Sequence, residues 1–122
     1  MPHVHDRVRD TTTTTGNGNI TLSGTPPAGF QAFSPVMNLN ETFPYCIDAQ
    51  TGTEWETGIG HLSGATTFVR DNVWESSNSG ALVNFSAGTK DVFITAHGRL
   101  LNATSRGAVL ARVNGLDFNM NY

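Results

Sequence analysis

Residues 41–62, ETFPYCIDAQTGTEWETGIGHL, decide the fold class, because apolar and polar side chains alternate on both sides of a short turn. Alternation with a period of two is the pattern of a half-buried β-strand, since successive side chains point to opposite faces of a sheet. The turn DAQTGT supplies aspartate and glycine, which favour tight turns. The segment is therefore predicted to form a β-hairpin. Its apolar face is expected to consist of Tyr45 and Ile47 in the first arm, and Trp55, Thr57 and Ile59 in the second.

Two glutamates in this hairpin have a spacing that suits catalysis. Glu54 and Glu56 are two positions apart on a predicted strand, so both point to one face, about 6.5–7 Å from each other. That separation suits the carboxylate pair of an inverting glycoside hydrolase. Trp55 is expected on the opposite face, where it would fill the core rather than stack on a sugar. Polar-out and apolar-in alternation explains both glutamates as solvated side chains, and this explanation is preferred.

The rest of the chain repeats this pattern of short strands and turns. Its 122 residues suffice for one domain, and charged residues make up 14%, against about 25% in an average soluble domain. A further strand is predicted at 66–70, with Phe68 pointing inward. The predicted fold class is all-β, an antiparallel β-sandwich or barrel with an extended C-terminal arm. The predicted divisions are an N-terminal arm or first edge strand at 1–10, the β-domain at 11–97 and the arm at 98–122.

The segment TTTTTGNGNITLSG is predicted to run as strand, turn and strand, with Gly16, Asn17 and Gly18 at positive φ in the turn. Its threonines carry no large apolar side chain. They are therefore unsuited to a central core strand, and they are expected at a sheet edge or against another subunit. The threonines concerned are Thr11, Thr12, Thr13, Thr14 and Thr15.

Residues 76–95, SSNSGALVNFSAGTKDVFIT, raise the question of a phosphate-binding loop, because a lysine follows a glycine-rich segment. A Walker A loop requires G-x-x-x-x-G-K-[ST] between a strand and a helix. Aligned on Lys90, its two glycines fall on Asn84 and Thr89, and its hydroxyl residue falls on Asp91. The loop is therefore rejected in favour of a hairpin of ALVNF and DVFIT with Lys90 at its exposed mouth. Core contacts are expected from Leu82, Phe85 and Val92, and from Ile94 or Phe93.

No cofactor, metal, nucleic acid or membrane is expected as a partner. The formal net charge of −3 argues against a nucleic-acid grip, and the chain has no apolar run of about 18 residues and no signal-peptide pattern. Cys46 is the single cysteine, and it is expected to be a small buried side chain rather than a nucleophile. No cysteine or carboxylate set completes a metal site around the four histidines, which are His3, His5, His61 and His97.

The ordered set of segments resembles a small β-module that recurs in tailed-bacteriophage virion proteins. The segments are DRVRDTTTTTGNGNITLSG, GFQAF, YCID with GTEWETGIGHL, and TTFVRDNVWESSNSGALVNFSAGTKDVFIT, in this order across residues 6–95. The resemblance implies a non-enzymatic virion protein that is assembled in the host cytoplasm. Because few residues follow the module, it implies a capsid decoration (cement) or small attachment protein, with a tail-fibre or tail-spike anchoring domain as the alternative.

The same resemblance implies that the partners are major capsid or tail proteins, and that the chain forms a homo-oligomer, with a trimer favoured. The threonine run is predicted to pair at an edge, and a mildly basic tail is predicted to dock on an acidic neighbour. The residues expected in the tail contacts are Arg99, Arg106, Arg112, Phe118 and Tyr122. A carbohydrate-binding or hydrolytic β-domain that uses Glu54, Glu56 and an exposed aromatic is the alternative from a different class.

Overall fold

The computed structural model describes residues 4–95 of the chain. The predictions for the arm at 98–122 lie outside the described residues. The elements are, in chain order, β1 (Arg9–Thr12), β2 (Ile20–Thr21), α1 (Phe33–Val36), β3 (Thr42–Ala49), β4 (Trp55–Gly64), β5 (Thr67–Ser76) and β6 (Lys90–Ile94).

The six strands form one antiparallel sheet in the order β1-β6-β3-β4-β5-β2. Its two end strands come together again through a bridge between Thr12 and Leu22. A hydrogen bond of 2.8 Å from the Ser23 amide to the Thr11 carbonyl supports this contact. The sheet is thus a nearly closed barrel, which confirms the all-β prediction.

An aromatic stack fills the barrel. The rings of Phe43 and Phe68 lie 5.4 Å apart, Tyr45 meets Phe68 edge-on at 4.7 Å, and Phe33 from α1 lies 5.3 Å from Phe43. Such pairs contribute about 0.5–1.5 kcal/mol each beyond the area that they bury. Among residues 4–95, the other buried apolar side chains are Val8, Ile20, Leu22, Met37, Ile47, Leu62, Val83, Phe85 and Val92.

Two glycines of β4 allow β5 to lie close against it. The β4–β5 pairing shifts register three times, including shifts between Thr57 and Gly58 and between Ile59 and Gly60. A Cβ atom at Gly58 would collide with the backbone of β5, and one at Gly60 would collide with the Phe68 ring and the Val69 carbonyl. These positions therefore require glycine for space rather than for an unusual φ angle.

The predicted faces of the first hairpin are half right. Tyr45 and Ile47 are fully buried, as expected. In β4, however, Glu56 is fully buried, Trp55 is 37% exposed, and Thr57 and Ile59 are only half-buried. The reason is register: Ile47 is the cross-strand partner of Glu56, and cross-strand partners share a face. A slip of one residue moves every side chain of a strand to the other face.

The predicted hairpin at 76–95 is wrong in its first arm. DVFIT does lie largely within β6, but residues 81–85 form no strand, and β6 pairs with β1 and β3 instead. The Val83 amide donates to the Glu56 carboxylate and the Phe85 amide to the Gly16 carbonyl, so neither is available to β6.

Burial within 76–95 is also partly different from the prediction. Phe85 and Val92 are buried as expected, and Ile94 packs against the core. Leu82 is 36% exposed, and its neighbour Val83 takes the core position. Lys90 is only 1% exposed, so the prediction that it lies at an exposed mouth is wrong. Because Lys90 and Val92 alternate along β6, both face the barrel interior.

The described part of segment 1–10 belongs to the barrel wall. Val8 is buried and bridges to Gln31, and β1 begins at Arg9. The sequence predicts either an arm or a first edge strand for this segment, and its last two residues, Arg9 and Asp10, belong to the strand β1. In the following turn Gly16 has the predicted positive φ, at 91°, but Asn17 and Gly18 do not, so the prediction is wrong for those two residues.

Candidate functional site

A buried ion cluster joins three neighbouring strands inside the barrel. It consists of Glu56 on β4, Arg70 on β5 and Tyr45 on β3, and is called the Glu56 cluster below. The Arg70 Nη1 atom lies 3.0 Å from Glu56 Oε1, with side-chain exposures of 2% and 0% respectively. The Tyr45 hydroxyl donates to Glu56 Oε2 at 2.6 Å. Burial, followed by the hydrogen bond to Glu56, raises the pKa of the Tyr45 phenol, so the hydroxyl keeps the proton that it donates.

The hydrogen bonds of the Glu56 cluster are made to groups of the protein itself. Glu56 also accepts from the Val83 amide at 2.9 Å, and Arg70 donates to the carbonyls of Val83 at 3.0 Å and Gly18 at 2.8 Å. A buried charge is tolerated only when it is paired and fully hydrogen-bonded. The cluster therefore ties two loops to the strands, and Glu56 does not face an open cleft together with Glu54.

A second buried carboxylate has the same character. Asp10, 1% exposed, accepts hydrogen bonds from the Thr11 amide at 2.7 Å, the Gly24 amide at 3.0 Å and the Ser23 hydroxyl. These bonds hold the turn after β2 against β1 at the point where the barrel closes. Asp10 therefore has a structural role where β1 meets the residues after β2 and closes the barrel.

The lysine that suggested a phosphate loop is enclosed by the barrel. Lys90 donates to the Thr14 carbonyl at 2.8 Å, and its Nζ atom lies 5.9 Å from the centre of the Phe85 ring. Burial lowers the pKa of the Lys90 ammonium, and the charge of Glu54 partly opposes that effect. The side chain thus anchors the threonine segment to β6.

A cavity of about 250 Å³ opens beside Lys90, between residues 49–54 and 86–90. Both carboxylate oxygens of Glu54 at its wall accept from Ser86, one from the amide and one from the hydroxyl, each at 2.9 Å. Those bonds lower the pKa of the Glu54 carboxyl. The cavity is smaller than the roughly 300–1,000 Å³ of drug-sized pockets, and its carboxylate is already occupied.

Replacing Lys90 by methionine tests the burial of its charge. The pKa of Lys90 is lower in the folded protein than in the unfolded chain. At a pH between the folded and the unfolded pKa, the unfolded chain therefore binds more protons than the folded protein does. Under that condition the free energy of unfolding rises with pH. We expect the free energy of unfolding of wild type, relative to Lys90→Met, to increase from pH 8 to pH 10.5. Denaturant unfolding of both proteins measures the difference, which cancels the other titrating groups. A difference that is flat or falls with pH would contradict the assignment.

On the outer face of β3, β4 and β5 a tryptophan lies beside two carboxylates. Trp55 is exposed opposite Asp48, its cross-strand partner, and Thr57 on the same face pairs with Glu75. Asp48 and Glu75 are exposed, and neither carboxylate has a hydrogen bond or ion pair within residues 4–95. Asp48, Trp55, Thr57 and Glu75 are called the Trp55 surface below. This surface has one large apolar side chain beside two carboxylates that no other group in the described part of the chain neutralises.

Two arginines elsewhere on the outside are already engaged. The Arg7 guanidinium lies 4.2 Å from the centre of the Phe30 ring and donates to the Gly29 carbonyl at 2.9 Å. Arg9 lies 5.1 Å from the centre of the same ring and forms an ion pair of 2.8 Å with Asp91. Together they fasten the loop at 29–31 to β1 and β6.

Other chemically suggestive groups do not assemble into a catalytic set in the described part of the chain. His61 Nδ1 lies 2.7 Å from Asp71 Oδ2, but no hydroxyl or thiol within residues 4–95 is hydrogen-bonded to this ring. Cys46 is half-buried rather than buried, and burial raises the pKa of its thiol to about 12, which suppresses the nucleophilic thiolate. No three His, Cys, Asp or Glu side chains among the described residues are grouped so as to hold a metal ion.

The predicted subunit contacts remain predictions. Thr11 and Thr12 pair with Asp91 and Lys90 of β6 within the chain, and Thr12 is buried. Thr13 and Thr15 are exposed. The other predicted contacts, Arg99, Arg106, Arg112, Phe118 and Tyr122, lie outside the described residues.

Within residues 4–95 no helix is long and apolar enough to cross a membrane. Comparison of the chain with protein-family models, with curated protein sequences and with solved structures gives no match.

Proposed function

We propose that this protein is a non-enzymatic structural component of a tailed-phage virion, a capsid decoration (cement) or small attachment protein that binds neighbouring virion subunits. One observation carries the proposal: the strand β4 turns its carboxylate inward and its tryptophan outward. Glu56 is fully buried and fully hydrogen-bonded, whereas Trp55 is 37% exposed. Tryptophan is among the residues that most often dominate protein–protein contacts.

The proposed mechanism is attachment by a rigid barrel. The Glu56 cluster and Asp10 fix the loops to the strands, so the outer surface keeps its shape when a partner binds. A preorganised surface binds with a smaller loss of conformational entropy. The proposed partners are major capsid or tail proteins and further copies of the chain. A trimer is the proposed assembly, because the resemblance to phage decoration proteins implies three-fold symmetry, which is one of the closed symmetries that homo-oligomers adopt.

Two other functions are kept as alternatives. A tail-fibre or tail-spike anchoring domain uses the same contacts in a different part of the virion. A carbohydrate-binding domain is favoured by the exposure of Trp55 beside Asp48 and Glu75, because an aromatic platform with carboxylates suits a sugar. The hydrolytic form of that alternative lacks support, since Glu56 is enclosed.

Particle reconstruction tests the proposal. Phage particles are produced in cells that express the full chain with an affinity tag, and density for the tag is located on the purified particles. We expect the tag at regular positions on the head, neck or tail, and its occupancy to fall when Trp55→Ala replaces the wild type. Leu39→Ala is the matched control, because Leu39 is also an exposed apolar side chain, at 56%. Particles that never carry the tag would refute the proposal.

A further inference from the structure

We propose that the Trp55 surface of one subunit is the docking site for residues 98–122 of a second copy of the chain. This inference rests on the proposed oligomeric function, and it names the surface and the segment that hold the copies together. It follows from three features: a tryptophan that is exposed on a fixed backbone, two carboxylates that have no partner within residues 4–95, and a basic segment of suitable composition and reach.

The backbone that carries Trp55 is held on both sides. On one side Trp55 pairs with Asp48 of β3. On the other, its amide donates to the Ser77 hydroxyl at 3.1 Å and its carbonyl accepts from the Ser77 amide at 2.9 Å. The indole is thus presented on a rigid strand, so docking a partner against it orders little of the receiving subunit.

The charge left available on the described part of the chain is negative. Residues 4–95 contain nine Asp and Glu against four Lys and Arg. All four cations have partners in the same subunit: Arg70 and Lys90 are buried, Arg9 is paired with Asp91, and Arg7 is bonded to the Gly29 carbonyl. The carboxylates of Asp48 and Glu75 have none within residues 4–95. A partner for the Trp55 surface is therefore expected to bring positive charge together with apolar side chains.

Residues 98–122 have that composition. They contain three arginines and a single carboxylate, Asp117, together with several leucine and valine residues and two aromatic ones. The arginines can pair with Asp48 and Glu75, and an arginine guanidinium can also stack on the indole face of Trp55. The segment thus complements the Trp55 surface in charge and in apolar character.

The length of the segment after β6 allows it to reach a second copy. Asp48 and Trp55 lie beside the start of β6, since Ala49 pairs with Lys90, whereas Ile94 at its end pairs with Tyr45. The chain therefore leaves β6 at the end of the strand farther from Asp48 and Trp55, and a second copy is the proposed receiver because the proposed function requires contacts between copies. The 27 residues after Thr95 can span up to about 90 Å when extended, which is enough to reach a neighbour.

A charge exchange in the full-length protein tests the inference. The body variant is Asp48→Arg with Glu75→Arg, and the arm variant is Arg99→Glu with Arg106→Glu and Arg112→Glu. Each set alone is expected to raise the dissociation constant of the oligomer roughly a hundredfold or more, because like charges then face each other. Combining both sets in one chain is expected to restore association. Sedimentation equilibrium at low and physiological salt measures the constants.

Two controls make the result specific. Asp6→Arg also reverses an exposed carboxylate, and it is expected to leave the dissociation constant unchanged. Trp55→Ala is expected to weaken association without changing the circular dichroism spectrum of the barrel, because its side chain lies outside the core.

Three results would overturn the inference. These are a wild-type chain that stays monomeric, an oligomer that is insensitive to both charge sets, and tryptophan quenching by sugars that Trp55→Ala abolishes. The proposed function fails separately: if the charge exchange behaves as expected but no particle carries the protein, the docking contact stands and the virion role does not. If particles carry the protein and neither charge set alters the oligomer, only the docking contact fails.

Discussion

Arg70→Met is expected to lower the free energy of unfolding of the barrel by about 3–5 kcal/mol, because it leaves Glu56 buried without its counter-charge. The variant also removes the donors to the carbonyls of Val83 and Gly18. Since a domain of this size has a stability of only about 5–15 kcal/mol, the expected loss is a large part of the total. Urea unfolding followed by circular dichroism measures it.

The double variant Glu56→Gln with Arg70→Met is the control for this prediction. The glutamine carbonyl can still accept from the Tyr45 hydroxyl or the Val83 amide, but no unpaired charge remains in the barrel. Stability is therefore expected to recover in part relative to Arg70→Met. A double variant that is less stable than Arg70→Met would show that packing rather than charge controls this position.

Gly60→Ala is expected to destabilise the barrel by about 1–3 kcal/mol or more, because a Cβ atom there collides with Phe68 and with the Val69 carbonyl. The strands β4 and β5 would have to move apart, which loosens the aromatic stack around Phe68. Thermal unfolding of the variant measures the effect as a lower midpoint.

Gly64→Ala is the matched control in the same strand. An added Cβ atom at Gly64 would lie 3.6 Å from Thr67 Oγ1, which is an ordinary contact. Its effect is expected to stay within about 0.5 kcal/mol. If the two variants were equally destabilised, the loss would come from backbone preference in the strand and not from the close approach at Gly60.

The strands that alternate most clearly could be predicted from the sequence. Tyr45 and Ile47 occupy the core as their alternation indicates, and Phe68 does so in β5. Periodicity cannot specify which of the two alternating sets of side chains in β4 shares the inner face with Tyr45 and Ile47 of β3. Either set would preserve the alternation. The choice depends on the length of the turn at 50–54, where the Ala49 amide bonds to the Glu54 carbonyl at 3.0 Å.

One feature of the sequence could have predicted the Glu56 cluster. With Phe68 pointing inward, a period of two also places Arg70 inside the barrel, and a buried arginine needs a carboxylate partner. The alternation in β4 nevertheless predicts Glu56 in solvent, because its neighbour Trp55 is the larger apolar side chain and is expected in the core. Hydrophobicity is thus a poor guide to facing where an ion pair and a tyrosine hydroxyl satisfy the buried charge.

The position of β6 between β1 and β3 has a consequence for how the chain folds as it is synthesised. Arg9 pairs with Phe93, so β1 cannot pair with β6 until nearly all of residues 4–95 have been synthesised. The meander of β3, β4 and β5 is continuous in sequence and can form earlier, with the edge of β3 open. Contacts between distant segments form slowly, and open strand edges invite pairing with other chains. A nascent chain that stalls before residue 90 therefore exposes a ready template for aggregation, and insertion of β6 removes it.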